Sequence, residues 1–231
     1  MDSAKKAGRT IGILLLIQGV LGATVNFGLL APGITGASSY LANAAANANR
    51  YSLAALLMLF VGVISIAIST TAWAVFKRHS ERLALAYFGL GVAALALGAV
   101  ESASVMSMLT LSKQYVDSTE VDARLFEVVG AVVRYGRYWA HYTHLLLGCF
   151  TVFIFYSILF RFALVPRVLV GIGMLAVLLQ MTGLIMPFFG SPVNFYLLAP
   201  MGLCHLALTG WLIVKGFRDA KVNEKHSGEY V

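Results

Sequence analysis

YSLAALLMLFVGVISIAISTTAWAVF, residues 51–76, holds no charged side chain, and KRHSER, residues 77–82, follows it at once. As a helix this run would be about 39 Å long at 1.5 Å per residue. The hydrocarbon layer of a bilayer is only about 30 Å thick. The stretch therefore reads as a membrane-spanning helix that stops in a basic turn. A soluble core helix has no use for an apolar run of this length.

The same plan repeats along the chain. Apolar blocks fall at about 10–30, 51–76, 83–111, 139–162, 168–188 and 195–217. Composition agrees, with 59% hydrophobic residues and only 12% charged. A soluble domain carries about 25% charged residues. The fold class expected is all-α: a single polytopic helix bundle with six transmembrane helices and a polar tail over 218–231. The first block follows the basic KKAGR, as a secretion signal would. It runs on past any plausible cleavage point, so it reads as a retained span.

Six spans put both termini on one side. That side collects twelve of the Lys and Arg residues, against five on the other, among them Arg50, Lys113 and Arg124. The positive-inside rule then places both termini in the cytoplasm of a bacterial cell membrane. The net charge of +7 is spent on short turns between spans. No helix-turn-helix pattern and no basic-aromatic interleave accompany it, so nucleic acid is excluded as a partner. The bilayer is the partner the composition demands.

Two connections are longer. Residues 31–50 are small and polar, and read as a loop carrying a short Ala/Asn helix at the surface. Residues 112–137 begin with Ser118 and Thr119 before Glu120 and Asp122, a helix start. Val121, Leu125, Val128, Val129 and Val132 then recur at helical spacing. This predicts an amphipathic surface helix over 118–132, with Gly130 and Gly136 as bending points into the fourth span.

Function is sought among the few polar residues inside apolar blocks, since an ionisable group in a span costs about 2.5–3.5 kcal/mol or more. These are Gln18, Asn26, Glu101, His141, His144, Gln180 and His205. Counting rise from the block ends places Gln18 and Gln180 near mid-depth and the other five in the outer half, with Arg134 and Arg137 just above. His141 and His144 are three residues apart and share a helix face. A carboxylate at depth needs a partner, and His144, His205, Arg134 and Arg137 are available to Glu101. Ala94, Gly98 and Ser102 let a neighbouring helix approach the same span closely.

The expectation is one polar pocket in the outer half, open to the outside and built from spans one, three, four and six. Glu101, His144, His205, His141, Asn26, Arg134 and Arg137 are its candidate ligand-binding residues. His141, His144, His205 and Glu101 also have the right types for a metal, and His144 with His205 for bis-histidine haem. Cys149 and Cys204 lie in apolar blocks and read as small buried residues. No GxSxG, HExxH or P-loop is present. Pro200, inside the sixth block, predicts a kink beside His205. The functional expectation is small-ligand or cofactor binding, as a sensor or carrier, with a homodimer as the expected assembly. A metal- or haem-dependent enzyme and a ligand-free scaffold are the alternatives.

Several segments are similar to a known family. RTIGILLLIQGVLG (9–22), LANAAANANRYSLAALLMLF (41–60), HLLLGCFTVFIFYSILF (144–160), ALVPRVLVGIGML (163–175) and GLCHLALTGWLIVKG (202–216) stand in its order and spacing. Together they resemble the bacterial domain-of-unknown-function 4386 family of multi-pass membrane proteins, over roughly residues 9–217. The resemblance implies a multi-pass topology and brings no activity. His144 stands where that family tends to place a histidine opening its fourth span. His205 stands where many members have a Glu, a departure that argues against a fixed haem ligand.

Overall fold

The computed structural model describes residues 3–30, 40–117 and 120–218. They form seven α-helices, with no strand among them. These are α1 (Ser3–Ala23), α2 (Tyr40–Ala46), α3 (Ala48–Phe76), α4 (Glu81–Val116), α5 (Glu120–Arg161), α6 (Arg167–Ile185) and α7 (Phe195–Lys215). A π-helical segment, Thr24–Leu30, extends α1, and a 3-10 turn, Met186–Phe189, ends α6. All but α2 are long and apolar enough to cross a membrane, which makes this a six-span membrane protein. The expected Ala/Asn helix is present as α2, while 31–39 and the tail from 219 lie outside the described residues.

The turns stop the helices as the sequence requires. Ser80 caps α4 by accepting from the Leu83 N–H at 3.4 Å, and Asn194 caps α7 by accepting from the Tyr196 N–H at 3.1 Å. Gly216, at φ 70°, ends α7 in a conformation that L side chains rarely adopt.

The spans form a ring. Each packs on its neighbours in chain order, and α7 returns to α1, which also packs on α3. Small residues set the close contacts. A Cβ on Gly12 would stand 2.8 Å from the Ile213 backbone nitrogen, so α1 and α7 touch there almost backbone to backbone. Gly173 accommodates the Tyr156 ring between α6 and α5. Ser102 donates to the Ala55 carbonyl at 2.9 Å and ties α4 to α3.

Two apolar clusters fill the ends of the ring. At the termini face, Phe76, Tyr87, Phe155 and Phe217 form one aromatic layer, with ring centroids 5.3–6.0 Å apart. At the opposite face, Tyr51, Ala55, Val105 and Leu109 pack with Val25, Leu30 and Ala44.

The surface helix expected over 118–132 is not a separate element. From Glu120 it forms the first turns of α5, which runs unbroken for 42 residues, about 63 Å, through Gly130 and Gly136. Neither glycine removes a backbone donor as proline would, and Gly130 is seated against Tyr40 and Leu41 of α2. Leu125, Val128, Val129 and Val132 are exposed along one side. Ser118, Thr119 and the side chain of Val121 lie outside the described residues. With α4 at 36 residues, the α4–α5 pair exceeds the bilayer and projects beyond the face opposite the termini.

Candidate functional site

Glu101 is 2% exposed and faces α5. Its two oxygens take one imidazole each: His141 Nδ1 at 2.7 Å from Oε1, and His144 Nδ1 at 2.9 Å from Oε2. The 3-residue spacing on α5 sets the two rings one above the other, at the span of a carboxylate. Gly98 makes the approach possible, because a Cβ there would stand 3.3 Å from His144 Cε1. Arg137, one turn beyond His141, is 9% exposed and lies within electrostatic reach of Glu101, Tyr51 and Tyr142. Assigned from this bonding pattern, both Nδ1 atoms donate to the Glu101 carboxyl group, which leaves Nε2 of each ring free for another partner.

The cavity lies elsewhere. A cavity of about 160 Å³ sits between the aromatic layer and the middle of the membrane. Its polar wall comes from Gln18, Ser65, Ser69, His144, Thr151 and His205. Rise from the aromatic layer explains the placement. Counting from Phe155, Glu101's partner His144 stands about 16 Å up, while Glu101 itself, counted from Tyr87, stands about 21 Å up. His144 therefore belongs to both: Nδ1 meets the carboxylate, and the ring forms part of the cavity wall that Glu101 does not reach.

This corrects the pocket expected from the sequence. The cavity lies in the half of the membrane nearer the termini, up to mid-depth, and not in the opposite half. Spans one, three, four and six contribute, and span two joins them through Gly62, Ser65 and Ser69. Gln18, expected merely at mid-depth, is in the wall, where its amide donates to Ser65 Oγ at 2.5 Å. Ser65 and Ser69 left no trace in the sequence reading, because a serine in a helix ordinarily bonds its own backbone, as Ser65 also does with Val61.

The other candidates scatter. Asn26 donates to the Gly22 carbonyl of its own helix at 3.0 Å and does not line the cavity. Arg134 is exposed and stacks over Tyr40 and Tyr135. His205 is midway along α7 and shares the cavity with His144, without joining the Glu101 pair. The four-residue metal set is not assembled: among the described residues no group of three or more His, Cys, Asp or Glu is placed to hold an ion. His144 and His205 both line the cavity, whose volume of about 160 Å³ is close to that of one that accepts a benzene, roughly 150 Å³. Cys149 is buried and Cys204 half-buried, as free thiols.

Residues 10–216 match the family model described as Domain of unknown function (DUF4386). The chain belongs to the DUF4386 family. The matched stretch spans nearly the whole chain, all six spans and every residue of the Glu101–His141–His144 cluster. No curated protein and no solved structure matches the chain. The six apolar helices carry the multi-pass topology, and family membership leaves the activity of this DUF4386 member to its own geometry.

Proposed function

We propose that this membrane protein is a sensor that binds a small amphipathic molecule in the intramembrane cavity, with His144 reading the ligand's polar group. One observation supports this above all. The His144 ring is held at Nδ1 by a buried carboxylate, 2.9 Å away, and forms part of the wall of a cavity of about 160 Å³. A fixed tautomer leaves Nε2 as an acceptor at mid-membrane, where an unpaired polar atom is costly. A ring-sized ligand with one hydroxyl or N–H donor satisfies it. Occupancy at Nε2 polarises the same ring that grips Glu101. Through Glu101 it acts on His141 and Arg137, which lead to the α4–α5 projection. In a cell membrane with cytoplasmic termini, as the twelve-to-five charge distribution supports, that projection faces outward.

The test uses phenol and benzene as probes on protein in mild detergent, with thermal unfolding as the readout. Phenol should raise Tm saturably and benzene less at equal concentration. Gly148 lines the cavity and a Cβ there meets nothing within 4 Å, so Gly148→Leu fills the space without a clash. That variant should fold and lose the phenol shift. His144→Phe should lose the preference for phenol over benzene. Equal shifts from both probes in the wild type, or an undiminished phenol shift in Gly148→Leu, would sink the reading.

A further inference from the structure

The turn between α5 and α6, residues 162–166, gathers positive charge from three parts of the chain. Arg161 closes α5 and Arg167 opens α6. Arg218, just past α7, donates its backbone N–H to the Leu164 carbonyl at 2.8 Å, which brings a third arginine to the same turn. His79 stacks on Phe162 with ring centroids 4.9 Å apart, which brings the α3–α4 turn and its Arg78 alongside. All four arginines are exposed. None is paired with a carboxylate among the described residues, where the ion pairs are those of Glu101. Glu81 is the one acid of this face among the described residues.

Three of the guanidinium groups rest on aromatic rings. Arg161 lies over Phe162 at 5.6 Å, Arg167 over Phe160 at 5.9 Å and Arg218 over Trp211 at 5.6 Å. A ring face steadies a guanidinium without neutralising it, so each keeps its charge and its N–H donors for an anion. A topology signal needs only the number of cations in a turn. It gives no reason to pose them on rings with no acid beside them. One of the three is continuous with the lipid-facing surface. Phe160 is exposed, and its ring lies 3.7 Å from where a Cβ on Gly171 would stand. Arg167, Gly171, Leu175 and Leu178 share one face of α6. Leu175 and Leu178 are exposed. An apolar track therefore runs from the Arg167 guanidinium into the hydrocarbon layer, along α6 and beside Phe160.

We propose that this turn is a binding site for an anionic phospholipid, its phosphate at Arg167 and one acyl chain along Phe160, Leu175 and Leu178. Arg161, Arg218 and Arg78 act at longer range, by raising the positive potential in which the headgroup sits. Phosphate is an anion that a guanidinium binds through two parallel N–H bonds. The apolar track selects a lipid over a free phosphate. The face fits as well. The twelve-to-five charge distribution supports cytoplasm on the termini side, and the leaflet there carries the anionic lipids. The aromatic layer separates this site from the cavity, and the assignment does not require the cavity to be occupied.

The experiment compares dioleoyl phosphatidylglycerol with dioleoyl phosphatidylcholine on the purified full chain in mild detergent, by thermal unfolding. An arginine near the membrane surface strengthens binding of an anionic lipid about fivefold. Arg161 and Arg167 together should therefore let phosphatidylglycerol raise Tm at a concentration about twentyfold lower than phosphatidylcholine. Arg167→Gln should leave about a fivefold preference, and Arg161→Gln/Arg167→Gln should abolish it. Lys113→Gln/Arg124→Gln removes the same charge from exposed positions at the opposite end and should leave the preference intact. On the unmodified protein, salt at about 1 M should erase it. Equal responses to the two lipids would overturn the proposal, as would a preference that survives the Arg161/Arg167 double variant or high salt. A preference lost equally in the Lys113/Arg124 variant would overturn it too, because net charge alone would then be the cause. A Tm shift of the same size from inorganic phosphate alone would replace the lipid with a free anion and overturn it as well.

Discussion

Removing the carboxylate of Glu101 is the sharpest perturbation this structure offers. Glu101→Ala takes away both imidazole bonds, at 2.7 and 2.9 Å, from a residue that is 2% exposed. Hydrogen bonds to a charged group contribute about 1.5–3 kcal/mol each. The variant also strips the nearby charge from Arg137, itself 9% exposed. Breaking a buried pair by removing one partner costs about 3–5 kcal/mol, and the two routes to the number agree. At about 1.4 kcal/mol per factor of ten, the ratio of folded to unfolded protein falls by a hundredfold to a few thousandfold. Glu101→Gln keeps the volume and one carbonyl acceptor, but its amide must face an Nδ1 that has lost its proton. That change should cost about half as much. The measurement is unfolding by SDS in mixed micelles, followed by tryptophan fluorescence and helical circular dichroism. A double-mutant cycle with Arg137→Met should show coupling of more than about 1 kcal/mol, because each partner stabilises the other's charge. A loss of less than about 1 kcal/mol in Glu101→Ala would refute the reasoning, as would additivity of the two substitutions.

Two further outcomes follow from other parts of the fold. Gly12→Val places a side chain against the Ile213 backbone nitrogen, which would lie 2.8 Å from its Cβ, so α1 and α7 must separate. It should destabilise by about 1–3 kcal/mol in the same SDS titration, whereas Gly148→Leu, facing open space, should not destabilise at all. His79 sits in the turn between α3 and α4, stacked on Phe162 at 4.9 Å. Burial, and then the neighbouring Arg78, hold its pKa below the ordinary 6.5. The unfolded chain then binds the proton more readily, so stability falls as pH drops through about 6.5 and is indifferent to His79 well above it. His79→Phe should keep the stacking and flatten Tm against pH between about 7.5 and 5.5; an unchanged slope would exclude this histidine as its source.

Much of the site was legible because lipid makes polarity conspicuous. A carboxylate at position 101 inside an apolar run had to have a partner, and His144 was one of the four residues available to it, while His141 was placed in the same pocket but not against Glu101. Both histidines bond it. The sequence grouped His205 and Asn26 with Glu101, and the structure sets them apart from it for a common reason. Depth along a helix can be counted from its ends, but the direction a side chain takes around the axis cannot. In water an apolar stripe marks the inward face. In a membrane both lipid and neighbouring helix are apolar, so that stripe is erased and only small or polar residues mark the packed side. Ser65 and Ser69 are too ordinary in a span to signal a cavity, and Gly148 looks like any packing glycine.

The sequence by itself determined the six spans, their turns and the need of Glu101 for a partner. All of these follow from transfer of apolar and charged groups between water and lipid, which is a property of composition along the chain. Only the tertiary structure decided that the spans close into a ring, that span two completes the cavity wall, that α5 continues straight out of the membrane, and that α1 and α7 touch at Gly12. Those outcomes depend on how helices rotate and pack against one another. That is fixed by contacts between residues far apart in sequence, such as Gly98 against His144 and Gly12 against Ile213.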